Sequence, residues 1–191
     1  MTTSLLTLLI IIAAVVLFPL VYLIATYNRL VRLRTTVKES WADVTTELKR
    51  RYDLIPNLVN TVKGYATHER AIMDEVTRAR EAALTLGQSP AAQAQSENQL
   101  SQALKSLIAI AENYPDLKAS QNFLGLQQEL ANTEDRVQAS RRFYNANVRD
   151  IHVAVQSFPS SIVAGMWGFR QEEFFQADEA EIAQPVRVSF N

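Results

Sequence analysis

Few side chains in this sequence of 191 residues could carry out acid–base, nucleophilic or metal chemistry. Cysteine is absent, which excludes thiolate nucleophiles, thiolate metal sites and disulfides. The two histidines, His68 and His152, each lack a second histidine at helical spacing, so neither predicts a metal site. The sequence contains neither a glycine-rich phosphate loop nor a Gly-x-Ser-x-Gly nucleophile turn. We therefore expect no metal, no cofactor and no small-molecule substrate.

Carboxylates are the remaining candidates for general acid–base catalysis. The acidic residues in question are Asp53, Glu129, Glu134 and Asp135. The cations that could neutralise them are Arg50, Arg51, Arg136 and Arg141. We favour helix capping and ion pairing as the role of these acids, and we expect no catalytic residues. An enzyme or regulatory subunit with a polar cleft around Asp53 and His68 stays the alternative.

The densest polar cluster of the sequence surrounds a proline. Its members are Arg50, Arg51, Tyr52, Asp53, Pro56, Asn57 and Asn60. Proline lacks a backbone N–H and kinks or interrupts a helix, so nearby backbone groups need side-chain partners. These side chains could satisfy the interruption, which we favour, or they could form a docking surface for a partner protein. The two roles are compatible.

An apolar segment precedes all of these residues. Residues 4–26 read SLLTLLIIIAAVVLFPLVYLIAT, and no charged side chain occurs from Thr2 to Asn28. As an α-helix this segment would span roughly 35 Å, which is enough to cross a hydrocarbon core of about 30 Å. A cleaved signal peptide would have a basic start and a shorter apolar core, and a lipoprotein would need a cysteine. The segment predicts a retained transmembrane helix.

Basic side chains follow the apolar segment and do not precede it. They are Arg29, Arg32, Arg34 and Lys38. The positive-inside rule then places the N-terminus outside the cell and residues 29–191 in the cytoplasm. The same cations could contact anionic lipid head groups, although setting the topology is a sufficient reason for their presence.

Beyond residue 29, apolar positions recur at steps of three and four, which predicts helices with one buried face. The first such series is Leu30, Leu33, Val37, Trp41, Val44, Leu48, Tyr52 and Ile55. Pro56 either kinks this helix or begins a second one, which extends to about Leu86. Pro90 begins a third helix. A fourth helix runs from about Leu117 to Ser157 with a nearly heptad, coiled-coil-like seam.

These patterns predict an all-α protein with three parts. Residues 4–26 form the transmembrane helix, and residues 29–160 form an antiparallel bundle of long helices, of the four-helix type. Residues 161–191 form a short, irregular tail whose aromatic side chains pack on the bundle and whose acidic end is frayed. Val186–Phe190 could be extended and pair with another chain.

The charge of the chain is unevenly distributed, although its net value is only −1. Residues 29–86 contain 11 basic and 8 acidic side chains, whereas residues 87–191 contain 8 basic and 12 acidic ones. The basic half suits an anionic membrane leaflet, and the opposite signs could favour contact between copies of the chain. The small net charge gives no attraction to nucleic acid, so we expect no nucleic-acid partner.

Three ordered blocks of the sequence resemble the LemA family. The first block is Lys49–Val59 with Val62–Ala66 and His68-Glu69. The second block is Tyr114–Ala119 with Asn122-Phe123. The third block consists of Arg141, Tyr144-Asn145, Phe158–Ser160 and Gly168-Phe169. The resemblance covers residues 27–175 and extends to an N-terminal membrane anchor. It implies a bacterial membrane protein with a mostly α-helical, bundle-like soluble part, and it does not imply an enzyme.

We expect a non-catalytic scaffold, anchored in the bacterial inner membrane by one transmembrane helix. Its partners would be the lipid bilayer, further copies of itself in a homo-oligomer, and other membrane proteins that it organises. A membrane signalling component is a further alternative.

Overall fold

A computed structural model describes residues 2–85 and 89–176, and these residues form helices and loops without a β-strand. The helices are α1 (Thr2–Tyr65), α2 (Arg70–Ala83), α3 (Pro90–Ala111), α4 (Pro115–Lys118), α5 (Gln121–Gln156) and α6 (Ser160–Met166). The expected all-α class is confirmed for this part of the chain. The predicted acidic end of the tail, with Val186–Phe190, lies outside the described residues.

The chain divides into two compact units. Of the described residues, the first unit contains 2–39 and 146–172, and the second contains 40–145 and 173–176. Helices α1 and α5 are long enough to contribute to both units.

The first unit has a small apolar core and a long exposed apolar segment. The core consists of Leu30, Ala154, Val163 and Ala164, with Tyr22, Tyr27, Leu33, Val155 and Phe169 packed against it. Between Leu9 and Ile24 the large apolar side chains of α1 are mostly exposed. Helix α1 is long and apolar enough to cross a membrane, which is compatible with the transmembrane helix predicted at residues 4–26.

Helix α1 continues through Pro56, so the prediction that a second helix could begin there was wrong. The break falls instead at residues 66–69, directly after Gly64 and Tyr65. Because Pro56 has no N–H, the carbonyl of Tyr52, four residues earlier, loses its helical partner. The Nε of Arg80 on α2 donates a hydrogen bond to this carbonyl at 2.8 Å. A side chain from the next helix therefore replaces the missing backbone donor.

The start of α3 agrees with the sequence. Pro90 occupies the first turn, as predicted, and the Ser89 hydroxyl oxygen accepts a hydrogen bond from the Ala92 N–H at 3.4 Å. A serine at this position satisfies one of the donors that every helix start leaves unpaired.

The core of the second unit is built from helical stripes at steps of three and four. Helix α5 buries Phe123, Leu130, Val137 and Tyr144, each seven residues after the last. Helix α3 buries Leu100, Leu104, Leu107 and Ala111, and α1 buries Val44, Leu48, Tyr52, Ile55, Leu58 and Val62. This spacing keeps one face of each helix in the core.

Phe175 packs into the core of the second unit. Its ring is fully buried, and its centroid lies 5.5 Å from that of Trp41. Asn145 holds its backbone on both sides, donating to the Phe175 carbonyl at 3.2 Å and accepting from the Phe175 N–H at 2.9 Å. The Nε of Arg141 donates to the same carbonyl at 2.9 Å.

Candidate functional site

A buried arginine lies at the centre of the second unit. Arg51 is only 3% exposed, although it carries a permanent charge. One terminal nitrogen lies 2.9 Å from a carboxylate oxygen of Glu97. The other lies 2.8 Å from the Ser101 hydroxyl oxygen and 3.1 Å from a carboxylate oxygen of Glu134. Arg51 therefore joins α1 to α3 and α5 through two ion pairs and one hydrogen bond to the uncharged Ser101 hydroxyl.

Tyr52 and Gln93 extend this arrangement into a network. The Tyr52 hydroxyl donates to the second carboxylate oxygen of Glu97, so both oxygens of this acid are engaged. The amide nitrogen of Gln93 lies 3.0 Å from the Tyr52 hydroxyl oxygen and 3.0 Å from the Ala83 carbonyl oxygen at the end of α2. Four helices are thus linked by side chains that are buried together. We call Arg51, Tyr52, Gln93, Glu97, Ser101 and Glu134 the buried network.

The electrostatics of the buried network depend mainly on the loss of water around Glu97. Burial raises the pKa of the Glu97 carboxyl, while the Tyr52 hydrogen bond and the Arg51 charge act in the opposite direction. Burial also raises the pKa of Tyr52, which lies in α1 well beyond the apolar segment, so its hydroxyl keeps its proton. The Tyr52 hydroxyl can therefore donate to Glu97 while it accepts from the Gln93 amide.

Two helices border a cavity of about 440 Å³ next to the buried network. Helix α3 contributes Ser101, Lys105 and Ile108 to its wall, and α5 contributes Leu130 and Glu134. The volume is that of an ordinary ligand pocket, and the wall combines a few apolar side chains with a larger number of polar and charged ones. Such a recess can accept an apolar side chain with one polar group, from a ligand or from a partner protein.

A second cavity, of about 500 Å³, lies where α1 ends and α2 begins. Asn60 and Lys63 come from α1, and Arg70 and Asp74 come from α2. Its lining, like that of the first cavity, includes charged side chains of both signs. Neither cavity is lined by Asp53 or His68, so the alternative of a cleft around these two residues receives no support from these cavities.

The predicted cluster around Pro56 is divided between the inside and the outside of the helix. Arg51 and Tyr52 are buried in the network. Arg50 points outward, with a terminal nitrogen 3.6 Å from a carboxylate oxygen of Glu47, and Pro56 is half-buried. Asp53, Asn57 and Asn60 are exposed. Consecutive helical residues point about 100° apart, so the buried pair cannot share a surface with the exposed residues. The four exposed polar residues recur at steps of three and four, so a docking surface made of them stays a prediction.

The structure also locates the other residues that the sequence singled out as candidates for acid–base or metal chemistry. Glu134 pairs with Arg51, as expected from the ion-pairing interpretation of the acidic residues. His68 is exposed in the loop after α1, and the Nε2 of His152 lies 2.7 Å from the Glu172 carbonyl oxygen in the first unit. Within residues 2–85 and 89–176, no group of three or more histidine, aspartate or glutamate side chains is arranged to hold a metal ion.

Sequence reasoning missed Gln93 and Glu97, although a signal for them exists. Continuing the buried series of α3 backwards from Leu100 by steps of three and four leads to Glu97 and then to Gln93. Polar residues on an otherwise apolar stripe predict a buried network that must be paired internally. Arg51 lies in the same way between Leu48 and Ile55 on α1.

Comparison with known proteins agrees with this helical architecture. The model of the LemA family matches residues 40–190. Protein LemA of Metamycoplasma hominis is 24% identical over 154 residues, covering 81% of this chain and 70% of that protein. Magnetosome protein MamQ of Magnetospirillum gryphiswaldense is 23% identical over 183 residues, covering 83% of this chain and 67% of that protein. Magnetosome protein MamQ 2 of Paramagnetospirillum magneticum is 22% identical over the same number of residues, with the same coverage.

These matches cover the helices that carry the buried network, together with the motifs whose resemblance was noted from the sequence. A family model that accounts for residues 40–190 includes α2 to α6 in full and the part of α1 that contains Arg51. The chain therefore belongs to the LemA family.

Proposed function

We propose that this protein is a non-catalytic scaffold, anchored in the membrane, that associates with itself and organises other membrane proteins. The observation that supports this role is the continuity of α1, a single helix of 64 residues. Its early part exposes apolar side chains, and its later part contributes Arg51 and Tyr52 to the buried network. The membrane anchor and a central helix of the folded body are therefore the same element, with no loop between them.

The buried network supports a structural rather than a catalytic role. The two oxygens of Glu97 are engaged by Arg51 and Tyr52, and the other terminal nitrogen of Arg51 is engaged by Ser101 and Glu134. A general acid or base needs a free position from which to reach a substrate. Groups that are paired with one another instead fix the register of the helices, a role well attested for buried polar residues.

Self-association is favoured by the distribution of charge along the chain. The net positive membrane-proximal half of one copy would contact the net negative half of another. The cytoplasmic position of the helical body, with the N-terminus outside, follows from the basic flank after the apolar segment.

Light scattering of the full chain in detergent tests self-association. We expect a molar mass of the protein component that rises with concentration, and a partial decrease of this mass when salt screens the charges. A monomer at every concentration would contradict the proposal.

Photo-crosslinking in native membranes tests the organising role. A photoreactive residue at the exposed Gln95 of α3 should give adducts of the protein with itself and with other membrane proteins. The matched control carries the same residue at the neighbouring Ala94, whose side chain is buried. Equal adducts at both positions, or adducts with soluble proteins alone, would argue against a membrane scaffold.

A further inference from the structure

The first unit contains a second stretch of chain without Asp, Glu, Lys or Arg. From Ile151 to Phe169 there is no Asp, Glu, Lys or Arg, and this stretch is bounded by Asp150 and Arg170. It comprises the end of α5, the turn that follows it and the whole of α6. Soluble helices seldom lack charge over such a length, whereas segments that contact the interior of a bilayer do so regularly.

This charge-free stretch packs against the apolar segment of α1. Val163 and Ala164 of α6 share a core with Leu30, and Tyr22 and Tyr27 pack against that core. Tyr22 lies within the predicted transmembrane segment, seven residues before the first charge at Arg29. Seven helical residues correspond to roughly 10 Å along the axis. Helix α6 is therefore at the level of α1 where the apolar segment ends.

The outer face of this stretch exposes a stripe of large apolar side chains. Phe158 is 82% exposed, Ile162 56% and Met166 65%, and they follow one another at intervals of four residues. This interval places Ile162 and Met166 on one face of α6, and Phe158 lies in the turn that precedes the helix. The opposite face, with Val163 and Ala164, is buried in the core. Helix α6 is therefore apolar on its exposed face as well as on its buried face.

Several backbone groups of the turn are paired within the protein. The Ser157 N–H donates to the Val153 carbonyl at 2.9 Å, and the Ser160 hydroxyl donates to the Ala154 carbonyl at 2.7 Å. At the other end of α6, Gly168 has a φ of 69°, and the Phe169 N–H donates to the Ala164 carbonyl at 2.9 Å. This is a helix stop that pairs the last carbonyls internally. Irregular backbone is tolerated at membrane depth when it is satisfied in this way.

A recess beside α6 is lined by basic and aromatic side chains, which suit contact with lipid head groups. It has a volume of about 320 Å³ and is lined by Arg34 and Lys38 together with Tyr27, Trp167 and Phe169. The rings of Tyr27 and Trp167 are 5.3 Å apart. Aromatic rings next to basic side chains are typical of the boundary between hydrocarbon and head groups.

We propose that Phe158–Trp167 is a second membrane-contacting segment, immersed in the leaflet at which the apolar segment of α1 ends. The stripe of Phe158, Ile162 and Met166 would contact the acyl chains, and Arg34 and Lys38 would face the lipid phosphates. The proposal rests on the membrane anchoring given under the proposed function. The bilayer is chosen as the occupant of this face because the face is continuous with the exposed apolar segment of α1.

Spin labelling of the full chain in liposomes tests this proposal directly. The chain has no cysteine, so each introduced cysteine is the single labelling site. Ile162→Cys is the test position, and Phe143→Cys on α5, also 56% exposed but next to Arg141 and Arg142, is the matched control. We expect the label at Ile162 to collide readily with oxygen and poorly with a water-soluble nickel chelate. The label at Phe143 should show the opposite preference.

Each other outcome has a definite meaning. Ready collision of the Ile162 label with the nickel chelate would place this face in water and overturn the proposal. Poor collision with both reagents would mean that protein, such as a second copy, covers the face, and this result would also overturn it. Val15→Cys in the apolar segment is the reference. If Val15 is lipid-exposed and Ile162 is not, this inference fails alone, whereas failure at Val15 would remove the membrane anchor itself.

Discussion

The Nε of Arg80 donates a hydrogen bond of 2.8 Å to the carbonyl of Tyr52, the carbonyl that Pro56 leaves without its helical donor. Replacing Arg80 by alanine should remove the side-chain donor that compensates for the missing N–H of Pro56. We expect a loss of about 1–3 kcal/mol in the free energy of unfolding, the cost of leaving a buried acceptor unpaired. Chemical denaturation followed by circular dichroism measures it.

A double-mutant cycle separates this effect from a general loss of packing. Pro56→Ala restores the backbone N–H, so Arg80→Ala should cost much less in that background. Arg78→Ala, an exposed arginine on the same helix, is the control and should change stability little. Equal costs of Arg80→Ala with and without Pro56 would disprove the compensation.

The adjacent arginines of α1 should differ strongly in their contribution to stability. Arg51 is buried and paired with Glu97 and Glu134, whereas the side chain of Arg50 is 48% exposed and lies 3.6 Å from Glu47. Arg51→Ala leaves the buried Glu97 without its cation, which should cost about 3–5 kcal/mol. Arg50→Ala should cost less than about 1 kcal/mol, because exposed ion pairs are weak. Similar midpoints of denaturation for the two variants would contradict the structure.

The stability of the protein should decrease as pH rises through the titration of Glu97. Burial raises the pKa of Glu97 above its ordinary value of 4.5, so the folded state keeps a proton over an interval in which the unfolded state has lost it. The free energy of unfolding therefore falls with rising pH across that interval, from 4.5 up to the folded pKa. Denaturation curves recorded at a series of pH values should show this slope.

Glu97→Gln should flatten that part of the stability profile, since the titrating group is removed. Glu75→Gln, an exposed residue of α2 outside the buried network, is the matched control. A profile of Glu97→Gln that keeps the wild-type slope would show that another group is responsible.

The residues that could be predicted from the sequence are those whose signal is local. The series from Leu30 to Ile55 predicted one helix with a buried face, and most of its members are buried. Pro90 after Ser89 predicted the start of α3. Spacing and capping involve neighbours within one or two turns, so a single sequence contains all that is needed to recognise them.

The features that could not be predicted depend on partners far away in the chain. Pro56 left open whether the helix kinks or a new one begins. The sequence could not decide, because the donor that compensates for the missing N–H, Arg80, lies on another helix. Glu97 is paired with Arg51, 46 residues earlier, and no local pattern connects them. The two roles considered for the polar cluster around Pro56, satisfying the interruption and docking a partner, left open which of its members point inward. The fold sends Arg51 inward and Asp53 outward.

Phe175 should be essential for the attachment of the segment after α6 to the second unit. Its ring is fully buried beside Trp41, and Asn145 and Arg141 bind its backbone. Phe175→Ala should lower the free energy of unfolding by about 3–5 kcal/mol, the usual cost of removing a buried aromatic ring. Phe174→Ala, at a half-exposed position, should cost clearly less. A larger loss from Phe174→Ala would reverse the roles that the structure gives to these two rings.

The orientation of the chain in the membrane can be tested with single cysteines in a sequence that has none. Gln95→Cys is suitable because its side chain is exposed on α3, unlike that of Ala94. If the basic flank after the apolar segment lies in the cytoplasm, a membrane-impermeant thiol reagent should not label Gln95→Cys in intact cells, but should label it after the membrane is permeabilised. Thr3→Cys should be labelled in intact cells. Labelling of Gln95→Cys before permeabilisation would reverse the orientation, and with it the leaflet to which α6 is assigned.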